Sequence, residues 1–203
     1  MSDQSLLTPD IRTGSTLAPD SELARFYIRT FTGKQFYFDR IEENEIDIRD
    51  IAHALAMNCR WTGHVKSFYS VAQHSEYVSK MVPAAHALAG LLHDASEAYM
   101  HDTPSPLKWH LKQQGFTAFS ELETRIDKHI FDQFKLPYPR AAEIKNADLR
   151  MLATEHRDLM LNGHEMEVKY LQKPYQFTIQ PWSPEQAEQE FLERYRSLTE
   201  LRM

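Results

Sequence analysis

The chain has 203 residues, of which 42% are hydrophobic, and it carries a formal net charge of −6 at pH 7. This length and composition predict a single domain with one buried core. The negative charge argues against binding to a nucleic-acid polymer, because such binding relies on clustered Lys and Arg. The single cysteine, Cys59, excludes an intramolecular disulfide and is typical of a reducing compartment.

The N-terminus lacks the charged and then apolar pattern that indicates a signal sequence. No apolar run approaches the roughly 18 residues that a membrane-spanning helix needs. We therefore expect a cytoplasmic protein with no membrane partner.

Residues 1–20 are rich in Ser, Thr, Pro and Asp without periodicity, which predicts a flexible arm ahead of one domain over residues 21–203. Aromatic and polar side chains alternate over residues 26–38 around a Thr-Gly pair, which predicts a short β-hairpin. An apolar stripe then predicts a helix over residues 48–55, and a turn at residues 61–64 ends it.

Five further helices are predicted at roughly 69–81, 84–101, 105–113, 117–134 and 140–162. Ser105 and Pro106 provide the start signal of the third of these helices. A last helix is predicted to begin at Ser183 and Pro184, with Ser183 as its N-cap. Residues 163–182 are predicted to form a loop or a short strand pair. The sequence therefore predicts a mostly α-helical fold.

An imidazole and a carboxylate, His93 and Asp94, stand side by side in an otherwise apolar run of Ala and Leu. Burial of a carboxylate is costly unless a cation or a hydrogen-bond donor compensates its charge. A divalent metal ion is one such cation, and imidazole nitrogen with carboxylate oxygen is a common ligand set for transition metals. A structural hydrogen bond between the two side chains is the alternative interpretation.

Two more predicted helices direct polar side chains toward the core. His74 shares an i, i+3, i+4, i+7 stripe with two valines, and Asp148 stands in the middle of an apolar stripe that runs from Ile144 to Leu152. Taken singly, an inward His or Asp is more often a satisfied core residue. Three separate helices with such residues predict a metal site, formed by His74, His93, Asp94 and Asp148.

The order and spacing of these four residues resemble the HD-domain metal-dependent phosphohydrolase superfamily. Within it, four segments are similar to the bacterial and phage 5′-deoxynucleotidase group, the YfbR-like branch: 59–61, 69–75, 93–97 and 102–108. The similarity extends from about Phe31 to about Leu159. Segments 31–38 and 48–55 are most similar to prophage-encoded members, which include phage dATP triphosphohydrolases.

The resemblance implies an HD-domain helical bundle that binds one divalent transition metal, Co, Mn, Zn, Fe or Ni. It implies hydrolysis at the α-phosphate of a deoxynucleotide, and the first interpretation is a 5′-deoxynucleotidase that converts a deoxynucleoside monophosphate to deoxynucleoside and phosphate. One alternative is a phage-type dATP triphosphohydrolase, which releases triphosphate and would use additional Mg²⁺. A second alternative is an inactive nucleotide-binding sensor. Related proteins form dimers or hexamers, so we expect a homo-oligomer, with exposed aromatic residues in 36–38 and 170–177 at its interface.

Glu97 is the predicted catalytic group, because it follows Asp94 by about one helical turn. Its counterpart in the family orients or deprotonates the attacking water, and the alternative is a surface carboxylate. By resemblance, Asp102 is a second catalytic candidate that faces the sugar or the leaving oxygen. Without the resemblance, Asp102 would be a common turn aspartate.

Four residues are candidates for substrate binding. The match of Arg60 in the family contacts the phosphate, and Lys108 could add a second positive charge. The match of Trp61 helps to exclude a 2′-hydroxyl, although a lone Trp is more often a core residue. His64 either contacts the phosphates or stabilises its turn. His101 departs from the family pattern, which often has glycine before the aspartate.

Overall fold

The computed structural model describes residues 27–163 and 172–200. The predicted arm over residues 1–20 lies outside the described residues, as do residues 164–171 of the predicted loop. The fold is mostly α-helical, as the sequence predicts, with one small antiparallel sheet. Eight α-helices lie in the described residues: α1 Ile48–Met57, α2 Val71–Met81, α3 Ala87–Leu91, α4 Glu97–Met100, α5 Ser105–Gln113, α6 Ala118–Gln133, α7 Ala142–Leu159 and α8 Pro184–Glu200.

The small sheet is the predicted hairpin. β1 (Tyr27–Arg29) pairs antiparallel with β2 (Gln35–Tyr37), and Gly33 turns the chain between them with a φ of 88°. Phe36 of β2 is buried, and its ring stacks on that of Tyr99 with the centroids 3.9 Å apart. The expectation that this aromatic stretch is exposed is therefore wrong for Phe36, because the period of two along a strand turns alternate side chains inward.

The predicted helix after the hairpin is confirmed as α1. Asp47 caps it, since its Oδ1 accepts a hydrogen bond from the backbone N of Arg49 at 3.0 Å. The apolar stripe is fully buried at Ile51, Ala52 and Leu55. Beyond α1, Cys59 and Ser70 form an isolated antiparallel bridge. The predicted turn after the helix is therefore held at the start of α2.

α2 is the central helix of the fold. It packs against α1, α3, α7 and α8, and eight of its eleven residues are buried. Ser70 caps it, because the Ser70 hydroxyl accepts from the backbone N of Gln73 at 3.1 Å. The predicted inward direction of His74 is confirmed, since that side chain is fully buried.

The prediction of one continuous helix over residues 84–101 is wrong. A tight turn separates α3 from α4, and its N–H groups donate to carbonyl oxygens three residues earlier; N of Glu97, for example, lies 3.0 Å from O of Asp94. In a continuous α-helix the carbonyl of Gly90 would accept from Asp94. It accepts instead from Nδ1 of His93 at 2.8 Å, so the His-Asp pair lies on a turn.

The later helices lie within the predicted ranges. In α7 the apolar stripe is buried as predicted at Ile144, Ala147 and Met151. α8 begins directly after Ser183, whose hydroxyl accepts from the backbone N of Gln186 at 3.2 Å, which confirms the predicted cap. Phe191 of α8 is fully buried in the core.

Residues 172–183 form a loop that contains neither helix nor strand. Arg157 of α7 donates hydrogen bonds to the carbonyl oxygens of Tyr175 at 2.7 Å and Phe177 at 2.6 Å, and both rings pack against the core. This part of the predicted loop is thus ordered against α7. In the described part of the chain, no helix has the length and apolar character to cross a membrane.

Candidate metal centre

The four predicted metal ligands meet at one point in the fold. The Nε2 atoms of His74 and His93 lie 3.3 Å apart. Oδ2 of Asp94 lies 3.6 Å from Nε2 of His74 and 3.2 Å from Nε2 of His93, and these three side chains could hold a metal ion. Oδ1 of Asp148 lies 3.3 Å and 4.0 Å from the same two nitrogens. Two imidazoles and two carboxylates therefore converge from α2, the α3–α4 turn and α7.

The hydrogen bonds of both imidazoles leave Nε2 as the atom that faces the cluster. Nδ1 of His74 donates to Oε1 of Glu155 at 2.5 Å, and Nδ1 of His93 donates to O of Gly90 at 2.8 Å. Two facing Nε2 lone pairs need a cation or a proton between them. A set of two imidazole nitrogens and carboxylate oxygens therefore fits a divalent transition metal.

Both aspartates of the cluster favour their ionised form, which is the form that binds metal. Burial alone would raise the pKa of Asp94, but His93, His74 and Arg60 hold it well below its ordinary value. Burial has the same effect on Asp148, and there the hydrogen bond to His74 and the charge of His93 hold the pKa below its ordinary value.

His74 has the opposite preference. Burial and the charge of Arg60 act to lower its pKa, but the carboxylates of Glu155 and Asp148 outweigh them and raise the pKa from 6.5 to about 9. At neutral pH a metal ion must therefore displace a proton from this imidazole before it can bind.

Glu155 is a member of the site that the sequence reasoning missed. It is fully buried, and its Oε2 accepts from Nε and Nη2 of Arg60, each at 3.2 Å, and from Nε1 of Trp61 at 3.1 Å. Its other oxygen accepts from His74. Glu155 follows Asp148 by two helical turns on α7, so extension of the inward stripe beyond Leu152 would have found it.

The cluster opens into a cavity of about 1500 Å³. His93, Asp94 and Asp148 lie on its wall, whereas His74 lies behind that wall. The cavity is also lined by five other predicted site residues: Arg60, Trp61, Glu97, Asp102 and Lys108. His64 does not line the cavity and is exposed on the turn, where its backbone N donates to O of Trp61 at 2.9 Å.

Glu97 is a buried carboxyl group on the cavity wall. It is 8% exposed, and its Oε2 has no hydrogen-bond partner among residues 27–163 and 172–200. Burial, together with the charges of Asp94 and Asp102, raises the pKa of Glu97 well above its ordinary value. Glu97 is therefore suited to hold a proton at neutral pH.

The turn Arg60–Gly63 presents two residues to the cavity in an unusual backbone conformation. Trp61 and Thr62 both lie in the left-handed region, with φ of 57° and 54°. This conformation costs a non-glycine residue about 1–2 kcal/mol. Oε2 of Glu155 holds the Trp61 indole and the Arg60 guanidinium, so the strained turn is fixed to α7.

His101 also departs from ordinary backbone geometry. Its φ is 65° and its ψ is 160°, a conformation that glycine adopts far more readily than histidine. Nδ1 of His101 lies 3.1 Å from Oδ1 of Asn58. The loop before Asp102 thus keeps a glycine-type conformation although the sequence has histidine there.

The Lys and Arg side chains on the cavity wall are neutralised locally. In the described part of the chain, four of them line the cavity and each pairs with a carboxylate: Arg60 with Glu155, Lys108 with Glu123, Arg140 with Asp127, and Lys145 with Asp148. The cavity therefore offers a phosphate few cations that are not already paired.

Comparison with known proteins places the chain in a family. No protein-family model matches it. An uncharacterized protein of Rhodobacter capsulatus is 32% identical over 134 residues, which are 62% of this chain and 66% of that protein. The uncharacterized protein YfdR of Escherichia coli is 41% identical over 178 residues, which are 87% of this chain and 97% of YfdR. The chain therefore belongs to the same protein family as YfdR.

Proposed function

We propose that the protein is an HD-domain phosphohydrolase that uses a divalent metal to release phosphate from 5′-deoxynucleoside monophosphates. The observation that carries the proposal is the position of Glu97. It is a buried carboxyl group that lines the same cavity as Asp94 and Asp148 of the metal-type cluster. Ligands, a proton-transfer group and space for a substrate are thus combined in one place.

The cluster is suited to hold the metal through His74, His93, Asp94 and Asp148. When bound there, a divalent ion supplies Lewis acidity, which activates water and offsets the negative charge of a phosphoryl group. Glu155 and the carbonyl of Gly90 hold the two imidazoles with Nε2 toward the ion. These contacts orient the ligands before any substrate enters.

Glu97 is the proposed proton-transfer group. Its Oε2, which has no hydrogen-bond partner in the described part of the chain, can accept a hydrogen bond from a water molecule in the cavity. Burial and the charges of Asp94 and Asp102 raise the pKa of Glu97, which makes its carboxylate a stronger base. A divalent ion held by Asp94 would offset one of those charges and favour the ionised form of Glu97, which can then accept the proton of the attacking water. Asp102 lines the same cavity and is proposed to face the leaving oxygen.

Arg60 is proposed to bind the phosphate. Its Nε and Nη2 donate to Glu155, whereas its Nη1 lies 3.6 Å from Asp94 and 3.8 Å from Asp102, which is too far for a hydrogen bond. Nη1 can therefore donate to a phosphate oxygen without loss of the contact to Glu155. Trp61, on the same turn, is proposed to pack against the deoxyribose.

The local charge balance favours a monophosphate over a triphosphate. A phosphate monoester carries roughly two negative charges at neutral pH, which one metal ion can offset. A triphosphate adds two more charged phosphates, and the Lys and Arg side chains on the described cavity wall already pair with carboxylates. We therefore place the monophosphate first, and the triphosphate is an alternative outcome of the test.

Product analysis tests the proposal. The protein is incubated with Mn²⁺ or Co²⁺ and each deoxynucleoside mono- and triphosphate, and the products are separated by anion-exchange chromatography beside an Asp94→Ala control. We expect deoxynucleoside and orthophosphate from the monophosphates, and no product from the control. Triphosphate released from dATP would replace the proposal with a triphosphohydrolase. If wild type and control are alike inactive on every substrate, the phosphohydrolase proposal is wrong and a nucleotide sensor becomes the better interpretation.

A further inference from the structure

One carboxylate joins the metal cluster to the wall of the cavity that carries Arg60 and Trp61. Oε1 of Glu155 accepts from Nδ1 of His74 at 2.5 Å, and Oε2 accepts from the guanidinium of Arg60 and the indole of Trp61. Glu155 is fully buried on α7, so water does not compete for these hydrogen bonds. The two halves of the site thus share this carboxylate as an anchor.

The donors around Glu155 require a carboxylate at this position. The hydrogen bonds to its two oxygens come from N–H groups, on His74 at one oxygen and on Arg60 and Trp61 at the other. An amide of the same size has one acceptor oxygen and one NH₂ donor. In one orientation the NH₂ group of glutamine would face the donors of Arg60 and Trp61. In the other it would donate to Nδ1 of His74, which would then carry its proton on Nε2, the nitrogen that faces the metal cluster.

The backbone of the turn shows why an anchor is needed. Trp61 and Thr62 are consecutive non-glycine residues in the left-handed region, a conformation that persists only where surrounding contacts impose it. Arg60 is tied to the neighbouring chain by its backbone N, which donates to O of Tyr69 at 2.9 Å. Glu155 holds the side chains of Arg60 and Trp61 and so adds a constraint from α7.

We infer that Glu155 is a positioning residue that couples metal binding to phosphate binding. It sets the tautomer of His74, and the same group fixes the direction of Arg60 and Trp61. The part that concerns phosphate rests on the proposed function, because it takes Arg60 as the phosphate-binding group. The part that concerns the metal rests on the cluster alone.

The test compares Glu155→Gln with a matched control, Glu76→Gln. Glu76 is also buried, lies on α2 with His74, and pairs with Lys80 at 2.5 Å, but it does not line the cavity. Mn²⁺ affinity is measured by calorimetry, and binding of inorganic phosphate is measured on the Mn²⁺-loaded proteins. The visible absorption spectrum of bound Co²⁺ reports the ligand geometry, and thermal unfolding reports stability.

We expect Glu155→Gln to bind Mn²⁺ about 10–100-fold more weakly than wild type, which is the usual effect of the loss of a metal ligand's hydrogen-bond partner. Phosphate binding should weaken at least about tenfold, because Arg60 loses a charge-assisted contact. The Co²⁺ spectrum should change as well. Glu76→Gln should match wild type in all three measurements.

The inference is overturned if Glu155→Gln binds Mn²⁺ and phosphate as wild type does. It is also overturned if Glu76→Gln is destabilised as much as Glu155→Gln and loses as much affinity for Mn²⁺ and phosphate. The loss of affinity would then be a general result of destabilisation. Neither Mn²⁺ binding nor phosphate binding requires that the protein hydrolyse a nucleotide. A wild-type protein that binds Mn²⁺ and phosphate but hydrolyses no nucleotide would therefore remove the proposed function and leave the role of Glu155 supported by the binding data.

Discussion

Without bound metal, the stability of this protein should depend on the protonation of His74. Burial and Arg60 act to lower the pKa of His74, but Glu155 and Asp148 raise it from 6.5 to about 9. A raised pKa in the folded state contributes stability that is fully present below the unfolded pKa and is lost as the pH rises through the folded pKa. At about 1.4 kcal/mol per pH unit, the interval from 6.5 to about 9 corresponds to a loss of about 3 kcal/mol in the free energy of unfolding.

Urea unfolding in the presence of EDTA, at several pH values from 6.5 to 9, measures this loss. Glu97 also has a raised pKa and contributes in the same direction, so wild type alone does not isolate His74. His74→Gln removes the imidazole and keeps a polar side chain. We expect the free energy of unfolding of wild type to fall about 3 kcal/mol more than that of His74→Gln over this range. Equal pH dependence of the two proteins would refute the reasoning.

Two further predictions concern single side chains. Glu97→Gln should lower kcat for deoxynucleoside monophosphates by at least about 100-fold, because it removes the proton acceptor. Its Mn²⁺ affinity, measured by calorimetry, should be unchanged. An equal loss of kcat and Mn²⁺ affinity would assign Glu97 to metal binding. His101→Gly should be more stable than His101→Ala by about 1 kcal/mol in thermal or urea unfolding. Both variants lose the contact to Asn58, but only glycine relieves the backbone strain at a φ of 65°. A more stable alanine variant would contradict this account of the loop.

The sequence was sufficient to predict the parts of the site that lie on regular helices. His74 and Asp148 sit on apolar stripes with helical periodicity, and α2 and α7 form where that periodicity predicts them. The structure brings both side chains to the His93-Asp94 pair. Periodicity was informative here because each helix buries one face, and the helical period determines which side chains lie on that face.

The break between α3 and α4 could not be read from the same signal. Ala and Leu over residues 87–98 pack equally well in an α-helix and in a tighter turn, so hydrophobicity does not separate the two. In the structure, the carbonyl of Gly90 in this break accepts a hydrogen bond from the His93 side chain. The tighter geometry still leaves Glu97 one turn after Asp94, and the predicted relation between those two residues survives.

Glu155 was missed because its partners are far away in the sequence. A charged residue on a helix is ordinarily exposed, and the donors that make its burial favourable, on Arg60 and Trp61, come from another part of the chain. His64 shows the opposite case, since it lies near the motif but on the outer side of the turn. Homo-oligomer formation stays a prediction.

A joint titration of metal occupancy and phosphate release tests the central claim most directly. Metal-free protein receives increasing Mn²⁺, and bound metal and orthophosphate released from a deoxynucleoside monophosphate are measured on the same samples. We expect the rate of phosphate release to rise in proportion to Mn²⁺ occupancy, to saturate at one ion per chain, and to be zero in Asp94→Ala. Phosphate release that does not follow Mn²⁺ occupancy, or full Mn²⁺ binding by Asp94→Ala, would contradict the claim.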